Sequence, residues 1–265
     1  MVRARKRFGQ HFLEPSWVRK VVDAIEPGPE DVFLEIGPGR GALTFALAER
    51  AAAVVAVEID RTLAAQLRRS APSNVTVVES DILRLDLAAV LREHAAGRPI
   101  RVAGSLPYNI SSPILFALIR LFRAGAGLSD ATVMLQLEVA ERLAAQPGSR
   151  DYGVLTILTS LWADIDLVLV LPPGAFRPPP KVRSAVVRLG FRQPRVDVSD
   201  TDSFEALVKA IFSQRRKTLS NALKPFAAIR GLDAAAMLRE ANLDGRRRPE
   251  TLDLAELARL TRPRG

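Results

Sequence analysis

The chain has 265 residues, 48% hydrophobic and 25% charged, which suits one large globular domain or a large one plus a small one and argues against a mainly disordered chain. It has no cysteine and only two histidines, His11 and His94, which excludes a disulfide framework, a thiol nucleophile and a zinc cluster. The net charge of +9 lies at the two ends: residues 1–20 carry +5, residues 201–265 carry +5 and residues 21–200 carry −1, a pattern that suits a polyanionic partner.

The first residues are basic with no apolar run behind them, so no signal peptide is expected. The most apolar stretch, Val154 to Leu171, is broken by Asp164 and Asp166, which argues against a membrane span. A soluble, cytoplasmic protein is expected. Val32–Ile36 reads as a buried strand, followed by a glycine turn and a helix over Ala42–Arg50. Val54–Val57 reads as a strand with a helix over Arg61–Arg69 after it, then Val75–Val78 as a strand. Ile100–Ala103 is a further strand, Pro113–Arg123 a helix and Ala131–Leu137 a strand. Such alternation implies βαβ units and a mostly parallel sheet. Asp166–Leu171 and Ala185–Leu189, joined by the proline-rich PPGAFRPPPKV, suit an antiparallel edge. After Phe191 the pattern turns helical, over Ser203–Phe212, Lys217–Leu223, Ala234–Ala241 and Leu254–Leu260. The linker candidate RQPRVDVSD (192–200) divides the chain into domains 1–195 and 196–265.

Glu35-Ile36-Gly37-Pro38-Gly39-Arg40-Gly41 falls at a strand-to-helix junction, where glycines let the backbone turn sharply and approach a ligand closely. Gly37, Gly39 and Ala42 also satisfy the GxGxxG/A dinucleotide pattern. Glu58 ends the second strand and can bind a ribose diol in either reading. Asp81 follows the third strand, where a carboxylate can accept a hydrogen bond from an adenine amine while Ile82 covers the ring. A pyrophosphate prefers amide donors and cations, so Glu35 disfavours it. A cationic cofactor without phosphate, such as S-adenosylmethionine, tolerates these acids better.

Ser105-Leu106-Pro107-Tyr108-Asn109-Ile110 follows the fourth strand. Adenine's exocyclic amine is a poor nucleophile because its lone pair is delocalised into the ring. Hydrogen bonds from it to the Ser105 side chain and the Leu106 carbonyl favour a more pyramidal nitrogen. Pro107 restricts the backbone, and Tyr108 can stack on a flipped-out base. The plain alternative is a proline turn with a core tyrosine.

Six ordered motifs carry a resemblance that spans nearly the whole chain. They are RFGQHFL (7–13), EIGPGRGALT (35–44), SLPYNIS (105–111), QLEVAER (136–142), PPGAFRPPPKVRSAVVRL (172–189) and QRRKTL (214–219). With them the chain resembles the small-subunit ribosomal RNA adenine dimethyltransferases of the KsgA type. The resemblance implies a Rossmann-like class I α/β methyltransferase sheet with a small C-terminal α-helical domain; a monomer is expected, since nothing in the sequence suggests an obligate dimer. It implies S-adenosylmethionine as cofactor, S-adenosylhomocysteine as product and no metal. His11, Leu13, Gly37, Gly39, Glu58, Asp81, Ile82 and Ser105 would contact the cofactor. Ser105 and Leu106 would hold the acceptor amine, and Tyr108 and Phe176 would sandwich the adenine. The implied substrate is two adjacent adenosines in the 3′-terminal hairpin of 16S ribosomal RNA, each dimethylated within an assembling 30S particle. Arg5, Lys6, Arg7, Arg215, Arg216, Lys217, Arg246, Arg247 and Arg248 would meet RNA.

Ser105 departs from the asparagine usual in that family, and a hydroxyl reaches less far than an amide. Three other readings compete: a large-subunit adenine methyltransferase of the macrolide-resistance type, a catalytically weak ribosome assembly factor, and a nicotinamide-dependent oxidoreductase.

Overall fold

The computed structural model describes residues 10–261 apart from Ala96; the basic Arg5, Lys6 and Arg7 lie outside the described residues. The elements in chain order begin with β1 (Phe12–Leu13), α1 (Pro15–Ile25), β2 (Val32–Ile36), α2 (Ala42–Ala48), β3 (Ala53–Glu58), α3 (Arg61–Ser70) and β4 (Val75–Glu79). There follow α4 (Leu87–Ala95), β5 (Ile100–Ser105), α5 (Ser111–Arg123), β6 (Leu128–Gln136), α6 (Leu137–Leu143) and α7 (Val154–Ser160). The chain continues with β7 (Ala163–Leu171), β8 (Phe176–Arg177), β9 (Ser184–Phe191), α8 (Thr201–Phe212), α9 (Leu219–Ile229), α10 (Ala234–Glu240) and α11 (Leu254–Arg259).

The chain divides into two compact units. The first comprises residues up to Ala140 together with Asp164–Arg192. Among its described residues a seven-stranded sheet runs in the order β4-β3-β2-β5-β6-β9-β7, and β1 pairs with β8 in a separate two-stranded ribbon. Strands β2 to β6 pair in parallel and β9 runs antiparallel to β6. All five residues of the central β2 are buried, as a strand covered on both faces requires. The Asp60 side chain caps α3 by accepting from the Thr62 amide at 2.9 Å. Helix α1 starts with a proline at its first position and buries Val21, Val22 and Ile25. These observations describe a mixed, mostly parallel Rossmann-like sheet with an antiparallel edge.

The second unit is helical and comprises Glu141–Ala163 with residues from Gln193 onward. Its core gathers Phe204, Leu207, Val208 and Ile211 of α8 with Leu219, Ala222 and Leu223 of α9. The segment before β7 is tied into this unit. The Tyr152 hydroxyl donates to the Leu252 carbonyl at 2.9 Å, and the Gly148 amide to the Glu250 carbonyl at 2.7 Å. This corrects the expected boundary: residues 141–163, read as part of a first domain 1–195, join the helical unit. The apolar stretch Val154–Leu171 is two elements, α7 and β7. Helix α9 runs on through Pro225, past the expected end at Leu223, because Phe226 and Ala227 are themselves buried. Among the described residues no helix is long and apolar enough to cross a membrane.

Candidate active site

The carboxyl ends of β2, β3, β4 and β5 open into a cleft of about 550 Å3, where ligands of open α/β sheets bind. Gln10 to Pro15 form another wall of it. All the expected cofactor residues, His11, Leu13, Gly37, Gly39, Glu58, Asp81, Ile82 and Ser105, line this one cleft.

The turn after β2 is built on glycines with positive φ, 69° at Gly37 and 60° at Gly39. A Cβ on Gly37 would stand 3.2 Å from the Ser105 carbonyl oxygen, and one on Gly39 would stand 3.1 Å from the Phe12 ring. A side chain at either place would crowd the cleft wall and strain the backbone. Glu58 braces this turn. Its Oε2 accepts from the Gly39 amide and its Oε1 from the Asp60 amide, both at 2.9 Å. A carboxylate has about four lone-pair directions, so two bonds leave Glu58 capacity for a ligand diol. Burial raises its pKa, and the two amides pull it back. Asp81 Oδ1 accepts from the Leu83 amide at 3.0 Å, which shapes the turn after β4.

Glu35 was legible only as an acid of the glycine motif, but the structure makes it a site feature. It is 1% exposed, lines the cleft, and its Oε2 has no hydrogen-bond partner among the described residues. Burial pushes its pKa up to about 8, Thr44 draws it down, and the Glu58 carboxylate adds to the rise. An uncompensated buried carboxyl facing a cleft suits a cationic ligand group.

The acceptor side lies after β5. The Leu106 amide donates to the Met134 carbonyl at 3.1 Å, which fixes the start of the turn, and Ser105 and Leu106 line the cleft. The Tyr108 hydroxyl lies 2.7 Å from Ser184 Oγ. Its ring stacks on His11, with centroids 5.7 Å apart and planes 21° from parallel. His11 Nδ1–H donates to the Pro178 carbonyl at 2.7 Å. Phe176, expected as the second face of a base sandwich, is 2% exposed instead and packs in the core with Ala175 and Val186. Its strand pairs with β1, where Leu13 faces it. Ser184 escaped sequence reasoning altogether.

The family model for ribosomal RNA adenine dimethylases matches residues 1–259. The chain belongs to the ribosomal RNA adenine dimethylase family. The chain is 46% identical over 266 residues to ribosomal RNA small subunit methyltransferase A of Geobacter sulfurreducens, covering 98% of this chain and 95% of that one. It is 43% identical to the protein of the same name from Xanthomonas euvesicatoria pv. vesicatoria, covering 97% and 95%. Among solved structures, a dimethyladenosine transferase from Plasmodium falciparum superposes with a TM-score of 0.77 at 24% identity, over 94% and 96% of the two chains. The 23S rRNA methyltransferase ErmE superposes with a TM-score of 0.68 at 28% identity, over 94% and 98%.

The basic residues of this dimethylase's helical unit separate into two kinds. Arg215 donates to the Ser149 carbonyl at 2.9 Å and pairs with Glu250. Arg247 forks onto both oxygens of Glu256 and onto the Thr251 carbonyl. Both are braces. Arg246, 91% exposed, is held by its neighbour Asp244 at 2.9 Å. Arg216, Lys217 and Arg248 are exposed. Backbone bonds from Leu219 to Arg247 and from Ser220 to Gly245, at 2.6 and 3.0 Å, bring the two basic segments together. Among the described residues no group of three or more His, Asp or Glu side chains is placed to hold a metal.

Proposed function

We propose that this dimethylase uses S-adenosylmethionine to add two methyl groups to the N6 of each of two adjacent adenosines, in the 3′-terminal hairpin of 16S RNA of an assembling 30S particle. It acts as a cytoplasmic monomer in this reading. The observation that carries the proposal is the junction, within one cleft, of an acid-lined pocket with the Ser105-Leu106-Pro107-Tyr108 turn. The unpartnered Oε2 of Glu35 and the glycine cradle fit the cofactor, whose charges are a sulfonium and an ammonium balanced by one carboxylate. Glu58 would hold the ribose diol, Asp81 the adenine amine, and Ile82 the adenine face. When bound, S-adenosylmethionine supplies a methyl group on a positively charged sulfur and leaves as S-adenosylhomocysteine.

The chain's residues act by positioning and electrostatics. Ser105 Oγ and the Leu106 carbonyl accept hydrogen bonds from the acceptor amine and turn its nitrogen towards the methyl group. Tyr108 provides the stacking face, once the base takes its place beside the ring. No strong base is needed, because the amine proton becomes acidic as the methyl arrives and can pass to water. Arg216, Lys217 and Arg248 supply the phosphate contacts. Small-subunit rather than large-subunit RNA is favoured by the identity of 42–46% to small-subunit enzymes, against 28% to ErmE.

The test is methyl transfer from labelled S-adenosylmethionine to unmethylated small and large ribosomal subunits in parallel, with the product base identified. Dimethyladenosine on the small subunit alone is expected. Label on the large subunit would move the chain to the other specificity. Absence of label, with cofactor and subunit both bound, would leave only an assembly role.

A further inference from the structure

Tyr108 stands on the turn after β5, a piece of chain with no ladder of its own between Ser105 and the start of α5. A stacking face on a turn is useful only if something stiffer sets its plane. Ser184 does this. It is the first residue of β9, paired with Gln136 across the antiparallel ladder, and the Leu137 amide closes on the Arg183 carbonyl beside it at 3.0 Å. The residue is 1% exposed, and among the described residues its hydroxyl has only the Tyr108 hydroxyl as partner, at 2.7 Å. The bond meets the ring at the end farthest from its backbone. Together, Cα at one end and hydroxyl at the other hold the ring on a single axis. The His11 ring on its face then sets the rotation about that axis.

We infer that Ser184 is a positioning residue for methyl transfer, tethering Tyr108 so that the stacked acceptor base is held in the plane that points its amine at the methyl donor. The inference rests on the proposed function, and it adds a residue from β9 to a site otherwise built from the β2–β5 edge and the segment before α1. Ser184 touches neither substrate nor cofactor in this role. A base stacked on an untethered ring tilts, and small errors of alignment cost rate more than they cost binding. Loss of the tether therefore lowers kcat and leaves cofactor affinity and the KM for the subunit nearly unchanged. Threonine keeps the hydroxyl and the tether; alanine removes them.

Two measurements test this. The first is the turnover of Ser184→Ala, Ser184→Thr, Tyr108→Phe and the Ser184→Ala/Tyr108→Phe double variant on unmethylated small subunits. Ser184→Ala and Tyr108→Phe should each lower kcat about fivefold or more, the scale of one hydrogen bond. The double variant should lose no more than either single, and Ser184→Thr should restore the rate. The second is spectroscopic. The chain has two tyrosines, so in a Tyr152→Phe background the phenol titration reports Tyr108 alone. Removing the Ser184 donor should move that titration to higher pH, since the bond favours the ionised phenol. Losses that multiply in the double variant, an unchanged kcat in Ser184→Ala, or a titration that does not move would each overturn the tether. A wild type that fails to methylate the small subunit would instead overturn the proposed function from which the tether takes its purpose.

Discussion

Replacing Arg216, Lys217 and Arg248 together by glutamine should weaken binding to the small subunit in a way that salt reveals. Each side chain is exposed, and the two segments carrying them are bonded backbone to backbone. The same helical unit uses Arg215 and Arg247 internally and leaves Arg246 bound to Asp244. Of the six cations expected to meet RNA in this unit, three therefore remain for phosphate. A cation that neutralises a phosphate contributes about 0.7–0.9 to the slope of log K against log salt, so the triple variant should lose about 2–3 from that slope. Between about 50 and 200 mM salt, wild-type affinity should then fall roughly 20- to 40-fold more than that of the variant. Equilibrium binding to unmethylated small subunits over this range reads the slope directly. Arg247→Gln is the internal control. It breaks the fork onto Glu256 and Thr251, so it should cost about 1–3 kcal/mol of stability, while the slope changes by less than one cation. A triple variant with the wild-type slope would refute the assignment of this surface to RNA.

Other changes should act through the cleft or the sheet. Ser105→Ala should lower the transfer rate about tenfold or more; an unchanged rate in a single-turnover assay would remove Ser105 from the mechanism. Glu35→Gln should flatten the pH dependence of stability. The native pKa of about 8 lies above the ordinary value of 4.5, so native Glu35 stabilises fully below the ordinary value, and that contribution is lost as pH rises through 8. Thermal melts of cofactor-free protein between pH 5 and 9 should show this decline in the wild type and much less of it in the variant. Gly104→Ala should destabilise by about 3 kcal/mol or more, because its Cβ would meet the Ile36 carbonyl oxygen at 2.2 Å and its φ is 143°. Denaturant unfolding checks this, and a variant of wild-type stability would mean that the β2–β5 pair can separate without cost.

Much of the fold was legible because its strands are short runs of β-branched residues between turn signals. Val32–Ile36 was read with the observed bounds, and Val54–Val57 and Val75–Val78 to within a residue at each end. What escaped has a physical pattern. Helices α6 and α7 have only seven residues each, too few to show a face, and the stretch containing α7 is largely apolar, so period does not separate helix from strand there. The boundary at residue 195 failed for another reason. Composition shifts mark where a linker begins, but the attachment of 141–163 to the helical unit depends on Ser149 and Tyr152 meeting partners far along the chain, at Arg215 and Leu252.

The site divides in the same way. Residues on a turn at a strand end, such as Gly37, Asp81 and Ser105, were legible as lining of one cleft because topology alone brings strand ends to one edge. Those whose role depends on a partner were not. Glu58 reads as a ligand for a diol, yet in the structure both its oxygens hold backbone amides of the glycine turn and of Asp60. Its substitution should therefore disturb the turn as well as the ribose contact, and a lost cofactor affinity in Glu58→Ala would not by itself assign a ligand. Glu58→Gln separates the two roles. An amide keeps one oxygen acceptor, so it can satisfy one of the two backbone amides but not both. If Glu58 acts chiefly on the ribose, affinity should fall while the melting temperature of the cofactor-free protein holds. If it acts chiefly as a brace, the melting temperature should fall first, and adding cofactor should recover only part of it.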